Sequence, residues 1–319
     1  MGSPVLDKVK SIYYPILATI GVPVNFVAMV ILSRRKCGLS KCVTRYLVAM
    51  AATDLLVVVT DVIIRCTIGI YFPGSFLSIT TICRINAVLL FAVTEASVWF
   101  TVAFTFDRFV AICCQKLKTK YCTDKVAAVV LGVLSALSLL QSIPWYFVFI
   151  PEYIIAGVPR GCAMKQAFYT DPTWGTFEVI HLVLTPCVPF ILILMLNALT
   201  ARHILVASRV RTSLKSHKSA TPNKDPEIGN GKKSIVLLFS VSGTFILLWS
   251  TEVGYFISLH VSDSQYFVTS DLEAIGVMLQ LLSTCTNACI YGVTQRKFRE
   301  ELRNGIKYPL QLIAKLLKA

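Results

Sequence analysis

The stretch Ile79–Cys114 reads ITTICRINAVLLFAVTEASVWFTVAFTFDRFVAICC. An apolar run of about 20 residues suffices for a helix to cross a bilayer, and this one is longer. Asp107 and Arg108 interrupt it near one end. The run therefore reads as one tilted helix that projects beyond the hydrocarbon. A helix is the form such a run must take, because lipid offers no partner to backbone polar groups. Transmembrane strands are shorter and alternate polar with apolar, which this run does not.

Six further apolar runs flank it. In order, the seven spans are expected near Ile12–Leu32, Tyr46–Tyr71, Ile79–Cys114, Lys125–Phe147, Trp174–Leu205, Ser234–Leu259 and Thr269–Thr294. Composition agrees: 55% of the 319 residues are hydrophobic and only 15% charged, against about 25% charged in soluble domains. The reading is an all-α membrane protein, a seven-transmembrane helix bundle with a short cytoplasmic amphipathic helix. Residues 1–11 are expected as a short extracellular tail, 12–294 as the bundle, and 295–319 as the amphipathic helix and tail. No internal repeat is apparent, which weighs against the inverted-repeat transporters.

The net charge of +14 could suggest nucleic acid, but its distribution argues otherwise. Lys8, Lys10, Arg160 and Lys165 are the cations on one side. The other side holds Arg34, Arg35, Lys36, Lys41 and Arg45 in the first loop, a dense set between spans 5 and 6, and Arg296 through Lys318 in the tail. The positive-inside rule then places the N-terminus outside and the C-terminus in the cytoplasm. Lipid attraction accounts for most of these cations. No cleavable signal peptide is expected ahead of span 1. Ser208–Asn230 is polar and basic with Pro222, Pro226 and Gly229, and reads as a mobile loop; Lys307–Lys318 reads as an interfacial amphipathic segment.

Charges inside a membrane are costly and mark candidate functional residues. Asp54 lies mid-span, with Asn25, Ser97, Ser283, Thr284 and Asn287 as candidate neighbours on other spans. Asp107-Arg108 closes span 3. Cys83 precedes Arg108 by 25 residues, about 37 Å of helix at 1.5 Å per residue. One helix thus carries a cysteine at its outer mouth and an ionic group at its inner mouth. Cys162, between spans 4 and 5, shares the outer side, where the compartment is oxidising. A Cys83–Cys162 disulfide is expected, with the other cysteines as thiols.

Over essentially its whole length the chain resembles the rhodopsin-like (class A) G-protein-coupled receptors. Gly21-Val22-Pro23-Val24-Asn25, Thr53-Asp54-Leu55, Cys83, Asp107-Arg108-Phe109, Pro189, Phe245 with Trp249, and Asn287-Ala288-Cys289-Ile290-Tyr291 resemble that family's motifs, in order and each on the expected span. The departures are specific. Ala288 and Thr251 stand where prolines are expected, Asn197 where span 5 usually has Tyr, and span 4 lacks its middle Trp. Asn197 and Ser142-Ile143-Pro144-Trp145-Tyr146 resemble the orphan subgroup of probable G-protein-coupled receptors 139 and 142.

The resemblance implies a plasma-membrane receptor that binds an extracellular small-molecule or peptide-like ligand and activates a heterotrimeric G protein. It points to Leu90, Phe91, Thr94, Glu95, Trp249 and Glu252 for the ligand, with Asp61, Arg65, Glu178 and His181 farther out. Leu90 stands where amine receptors carry an Asp, which disfavours a monoamine. Asp107, Arg108, Phe245, Trp249, Asn287 and Tyr291 are implied as switch and coupling residues. Asp54, Ser97 and Asn287 resemble an allosteric sodium site, and no other cofactor is implied. Leu90, Phe91 and Trp249 could instead be core, and Glu95 and Glu252 structural acids. A chemosensory receptor of the same fold stays open, as does a channel or transporter from another class. No nucleophile–base or metal-ligand cluster suggests an enzyme.

Overall fold

The computed structural model describes residues 3–216, 226–261 and 266–305. Seven helices are long and apolar enough to cross a membrane: Pro4–Ser33, Lys41–Tyr71, Thr80–Cys113, Asp124–Phe147, Pro172–Arg209, Ser234–Tyr255 and Asp271–Thr294, here spans 1 to 7. Their outward faces are apolar. Ile12, Ile16 and Ile20 of span 1 are exposed at helical spacing, as are Val129, Val133, Leu137 and Leu140 of span 4. Such stripes are stable only against an apolar solvent. The protein is a multi-pass membrane protein.

Span 3 is the centre of the bundle and packs against spans 2, 4, 5 and 6. Span 1 packs on spans 2 and 7, so the first and last helices close the ring. Beside Arg108, one core joins Tyr46, Leu47 and Met50 to Phe104, Leu237, Val241 and Tyr291. A second core joins Tyr14 and Leu17 to Val58, Val62 and Leu281 among spans 1, 2 and 7.

Helix ends follow local chemistry. Ser40 caps span 2 by accepting from Val43 N at 3.3 Å, and Thr123 caps span 4 by accepting from Val126 N at 3.2 Å. Asp171 caps span 5 by accepting from Thr173 N at 2.8 Å, and that bond holds its carboxyl below the usual carboxylate range. Three spans depart from the α form: Val58–Ile68 in span 2 and Val183–Cys187 in span 5 are π-helical, and span 4 ends in a 3-10 turn over Ile143–Phe147.

Three boundaries differ from the sequence reading. Residues 1–11 are not all tail: the first helix starts at Pro4, which suits a first-turn position, with Asp7 favouring the helix N-terminus. The expected loop Ser208–Asn230 is largely helical, since span 5 continues to Ser216 and the helix bearing span 6 starts at Pro226. Arg, Leu and Lys between positions 209 and 215 are good helix formers, and Pro226 again sits at a helix start. Residues 217–225 lie outside the described residues, as does the expected amphipathic segment Lys307–Lys318. After span 7 a further helix covers 296–305. It is anchored by Phe298, buried against Tyr291, and by Arg299, which donates to Val293 O at 2.6 Å.

The linker between spans 4 and 5 folds into two short ladders. β1 (Phe149–Ile150) pairs with β4 (Ala163–Met164), and β2 (Tyr153–Ile155) with β3 (Val158–Arg160), all antiparallel. Ala156 and Gly157 form the two-residue turn at φ 51° and 74°, as a type I′ hairpin requires. At Gly161 (φ +70°) a Cβ would come within 2.7 Å of Glu152, so only glycine fits. Gly161 N donates to Ser78 O at 2.8 Å. That docking brings the next residue, Cys162, onto span 3, where it is disulfide-bonded to Cys83.

Candidate functional site

Asp54 is 1% exposed and both its oxygens are satisfied. Oδ1 accepts from Ser97 Oγ at 2.8 Å and Oδ2 from Asn287 Nδ2 at 2.8 Å. A buried carboxylate left unpaired would cost several kcal/mol, so these bonds tie spans 2, 3 and 7 together. Asn25 does not reach Asp54; its amide donates to Thr284 O at 2.9 Å and Gly21 O at 3.0 Å. Beside Asp54 is a cavity of about 20 Å³, lined among others by Thr94, Ser97, Trp249, Ser283 and Thr284. It has room for one water or one ion.

Phe245 and Trp249, four apart on span 6, stack with ring centres 5.2 Å apart. Trp249 Nε1 donates to Ser283 Oγ at 3.2 Å, which links span 6 to span 7 at the same cavity. Of the residues expected to hold a ligand, Thr94 and Trp249 line this cavity. The others lie elsewhere. Thr94, Ser97, Val98 and Thr101 form the stripe of span 3 that faces the cavity. Phe91 and Glu95 share the neighbouring face.

Phe91 points at span 4, stacked on Trp145 with centres 3.9 Å apart. His181 of span 5 meets both rings edge-on at 5.3 Å, and Phe177 completes the cluster. Within it, Trp145 Nε1 and His181 Nε2 are buried without a hydrogen-bond partner. Leu90 is buried. Glu95 is 4% exposed and its Oε2 has no partner. Glu252 Oε2 is likewise unpartnered and lies against Gly276 of span 7, where a Cβ would approach it to 2.5 Å. Asp61 and Arg65 pair with each other at 2.5 Å. The sequence reading missed Trp145 as a site residue. The signal was present as Trp174, Phe177 and His181, spaced three and four apart on one helical face beside it.

At the far end of span 3, Asp107 is fully buried and paired with Arg108, whose Nε donates to Asp107 Oδ2 at 3.0 Å. Arg108 Nη1 donates to Ser234 Oγ of span 6 at 3.2 Å. Cys42 of span 2 donates its thiol to Asp107 Oδ1 at 3.1 Å. Cys122 donates to Asp107 O at 3.5 Å. Burial, then the Asp107 charge, pushes the Cys122 thiol up to about 12, so it stays a donor. Tyr291, four residues beyond Asn287, is buried with its hydroxyl unpartnered.

Residues 24–291 match the family model of the 7 transmembrane receptor (rhodopsin family). The chain belongs to this family. Over 306 residues, 92% of this receptor and 72% of the relative, it is 26% identical to probable G-protein coupled receptor 142 of Mus musculus. It is 27% identical to the neuropeptide S receptor of Rattus norvegicus over 186 residues, 58% of this chain and 47% of that one. The match to the Mus musculus neuropeptide S receptor is 26% over 187 residues, with the same coverage. The first of these relatives carries one of the names to which Asn197 and the span 4 ending pointed.

The family frame locates this receptor's departures. Ala288 is buried in the core beside Tyr291, and spans 6 and 7 run without an internal proline through Thr251 and Ala288. Asn197 is not a vacancy in the span 5 face: its Oδ1 accepts from Ser242 Oγ of span 6 at 3.1 Å.

Proposed function

We propose that the chain is a plasma-membrane receptor with its N-terminus outside. It binds an extracellular small-molecule or peptide-like ligand near the disulfide end and activates heterotrimeric G proteins by opening at the Arg108 end. The observation that carries this reading is the polar continuity of span 6. Its Trp249 bonds to Ser283 at the Asp54 cavity, and its Ser234 bonds to Arg108 some four turns away. A ligand that biases span 6 at one end changes the crevice at the other, provided it binds the open state better than the closed one. The unpartnered oxygens of Glu95 and Glu252 suit a ligand with N–H or O–H donors, and the Phe91–Trp145 face suits an aromatic group. The Asp54 cavity holds about one water, whereas a channel needs a continuous polar path, which favours the receptor reading over that rival.

The test is a ligand screen on purified protein in liposomes, read as nucleotide exchange on several G-protein subtypes and as ion flux. Ligand-driven exchange without flux is expected; flux without exchange would replace this reading by a channel or transporter. For an agonist so found, alanine at Phe91, Thr94, Glu95, Trp249 or Glu252 is expected to weaken potency about tenfold or more at several of the five, as for loss of a buried contact. Unchanged potency at all five would put the ligand elsewhere.

Asp54 also suits an allosteric sodium ion. Its carboxylate, with the hydroxyls of Ser97 and Ser283 on the same cavity, offers the oxygen donors a hard cation takes, and Asn287 orients the carboxylate. Sodium there would favour the closed bundle. Saturating sodium is expected to weaken agonist affinity about fivefold or more in the wild type and to leave Asp54→Asn unaffected. Equal sodium dependence in radioligand competition on both proteins would remove the site.

A further inference from the structure

Among the described residues, span 6 makes polar contacts to three other spans: Ser234 to Arg108 of span 3, Ser242 to Asn197 of span 5, and Trp249 to Ser283 and Tyr255 to Glu273 of span 7. Positions 234, 242 and 249 are spaced eight and seven apart, about two turns each, so they share a face. The middle contact differs from the others. Ser242 is 0% and Asn197 9% exposed, and the buried side chains within a turn of them are Ile193, Leu196 and Thr200 on span 5 and Leu238, Val241 and Phe245 on span 6, all apolar except Thr200, whose hydroxyl donates to Leu196 O.

We propose that Asn197 and Ser242 are a latch that holds span 6 against span 5 in the closed receptor, both acting as positioning residues for opening. The inference rests on the opening described above. Its physical basis is an asymmetry between the partners. Ser242 has a single hydroxyl proton, shared in the closed state between Asn197 Oδ1 at 3.1 Å and Leu238 O at 2.7 Å, one turn back on its own helix. When span 6 leaves, the serine hydroxyl keeps that acceptor. Asn197 Oδ1 has only Ser242 on span 6 and is stranded among apolar groups until water or another donor reaches it. The cost of opening therefore falls on Asn197. A buried acceptor without a donor costs more than a made bond contributes.

The asymmetry gives an ordered expectation for ligand-independent nucleotide exchange at matched surface expression. Ser242→Ala strands the Asn197 carbonyl in the closed state and raises basal exchange about tenfold. Asn197→Ala removes the latch but strands nothing, and raises it about threefold. Adding Asn197→Ala to Ser242→Ala lowers exchange back toward the Asn197→Ala level. Simple loss of packing would instead add. A second readout needs no G protein: spin labels introduced through non-canonical amino acids at the exposed Leu205 of span 5 and Val236 of span 6. Ser242→Ala is expected to increase the population with the longer label separation in ligand-free protein. Unchanged basal exchange with an unchanged distance distribution in Ser242→Ala overturns the latch, and so does an additive double variant. If the distances shift as expected while no G protein responds to any variant or ligand, the latch stands and the proposed coupling fails.

Discussion

An Arg108→Ala receptor is expected to bind agonist with near wild-type affinity and to lose at least about thirtyfold in agonist-driven nucleotide exchange. The two halves of this expectation come from distance and burial. Phe91 lies 17 residues before Arg108 on the same helix, about 25 Å away, so truncating the arginine leaves the ligand contacts intact. The guanidinium is itself buried, fixed by Asp107 on one edge and Ser234 on another. In the proposed opening, Ser234 departs with span 6 and the Nη1 donor would face the crevice, where a G-protein segment with carbonyl or carboxylate acceptors would take it. Truncating one partner of a buried, hydrogen-bonded charged contact at an interface costs about 2–5 kcal/mol, and the lower end already corresponds to about thirtyfold. Radioligand saturation measures the first half and nucleotide loading on reconstituted G protein the second. Full exchange from a well-expressed Arg108→Ala receptor would defeat this account of coupling.

Loss of the Cys83–Cys162 disulfide is expected to have the second largest effect, on stability and surface delivery rather than on coupling. The bond closes a loop of 79 residues, for which chain entropy predicts about 4.5 kcal/mol. Helices already inserted in lipid restrict the unfolded chain, so this is an upper figure. The hairpin has few other ties: Gly161 N to Ser78 O, Thr80 Oγ1 to Gly161 O, Arg160 to Ser75 O and Tyr153 OH to Pro73 O are among its hydrogen bonds to the start of span 3 and the loop before it. Cys83→Ser, Cys162→Ser and the double variant should be equally impaired, because each removes the same bond. Thermal melting of purified receptor and surface labelling measure this. A double variant that melts with the wild type would show that the linkage contributes nothing to the fold.

The membrane class was legible because it rests on summed apolar length, which needs no knowledge of packing. Asp54, Ser97 and Asn287 were found together because a buried acid must find donors and few polar residues lie at its depth. The π-helical stretches at Val58–Ile68 and Val183–Cys187 left no trace in a hydrophobic pattern that is apolar all round. They rotate every side chain beyond them relative to an α-helical projection. Phe91 was assigned to one pocket with Thr94, three residues on and on the same broad face, but the structure sends Phe91 to Trp145, because which span a residue on that face meets depends on how the neighbouring helices are placed. Asn197 was noted as a missing tyrosine and as a mark of the subgroup, not as half of a contact between spans. Its partner Ser242 is one serine among several on span 6, and which one faces span 5 depends on the relative rotation of two helices, which no local pattern encodes.

The closure of the helix ring by spans 1 and 7 bears on how the chain is made. Asn287, which bonds Asp54, is synthesised 233 residues after it, and Thr284, whose carbonyl accepts from Asn25, 259 residues after that asparagine. At roughly 5–20 residues per second, Asp54 spends roughly ten to fifty seconds in the translocating chain before its last partner exists. Through that interval a carboxylate and an amide sit in half-built helices with only Ser97, or the Gly21 carbonyl, for company. A chain that ends before the seventh span leaves the Asp54 carboxylate inside the bilayer without its Asn287 donor, at the cost of an incompletely paired charge in an apolar medium.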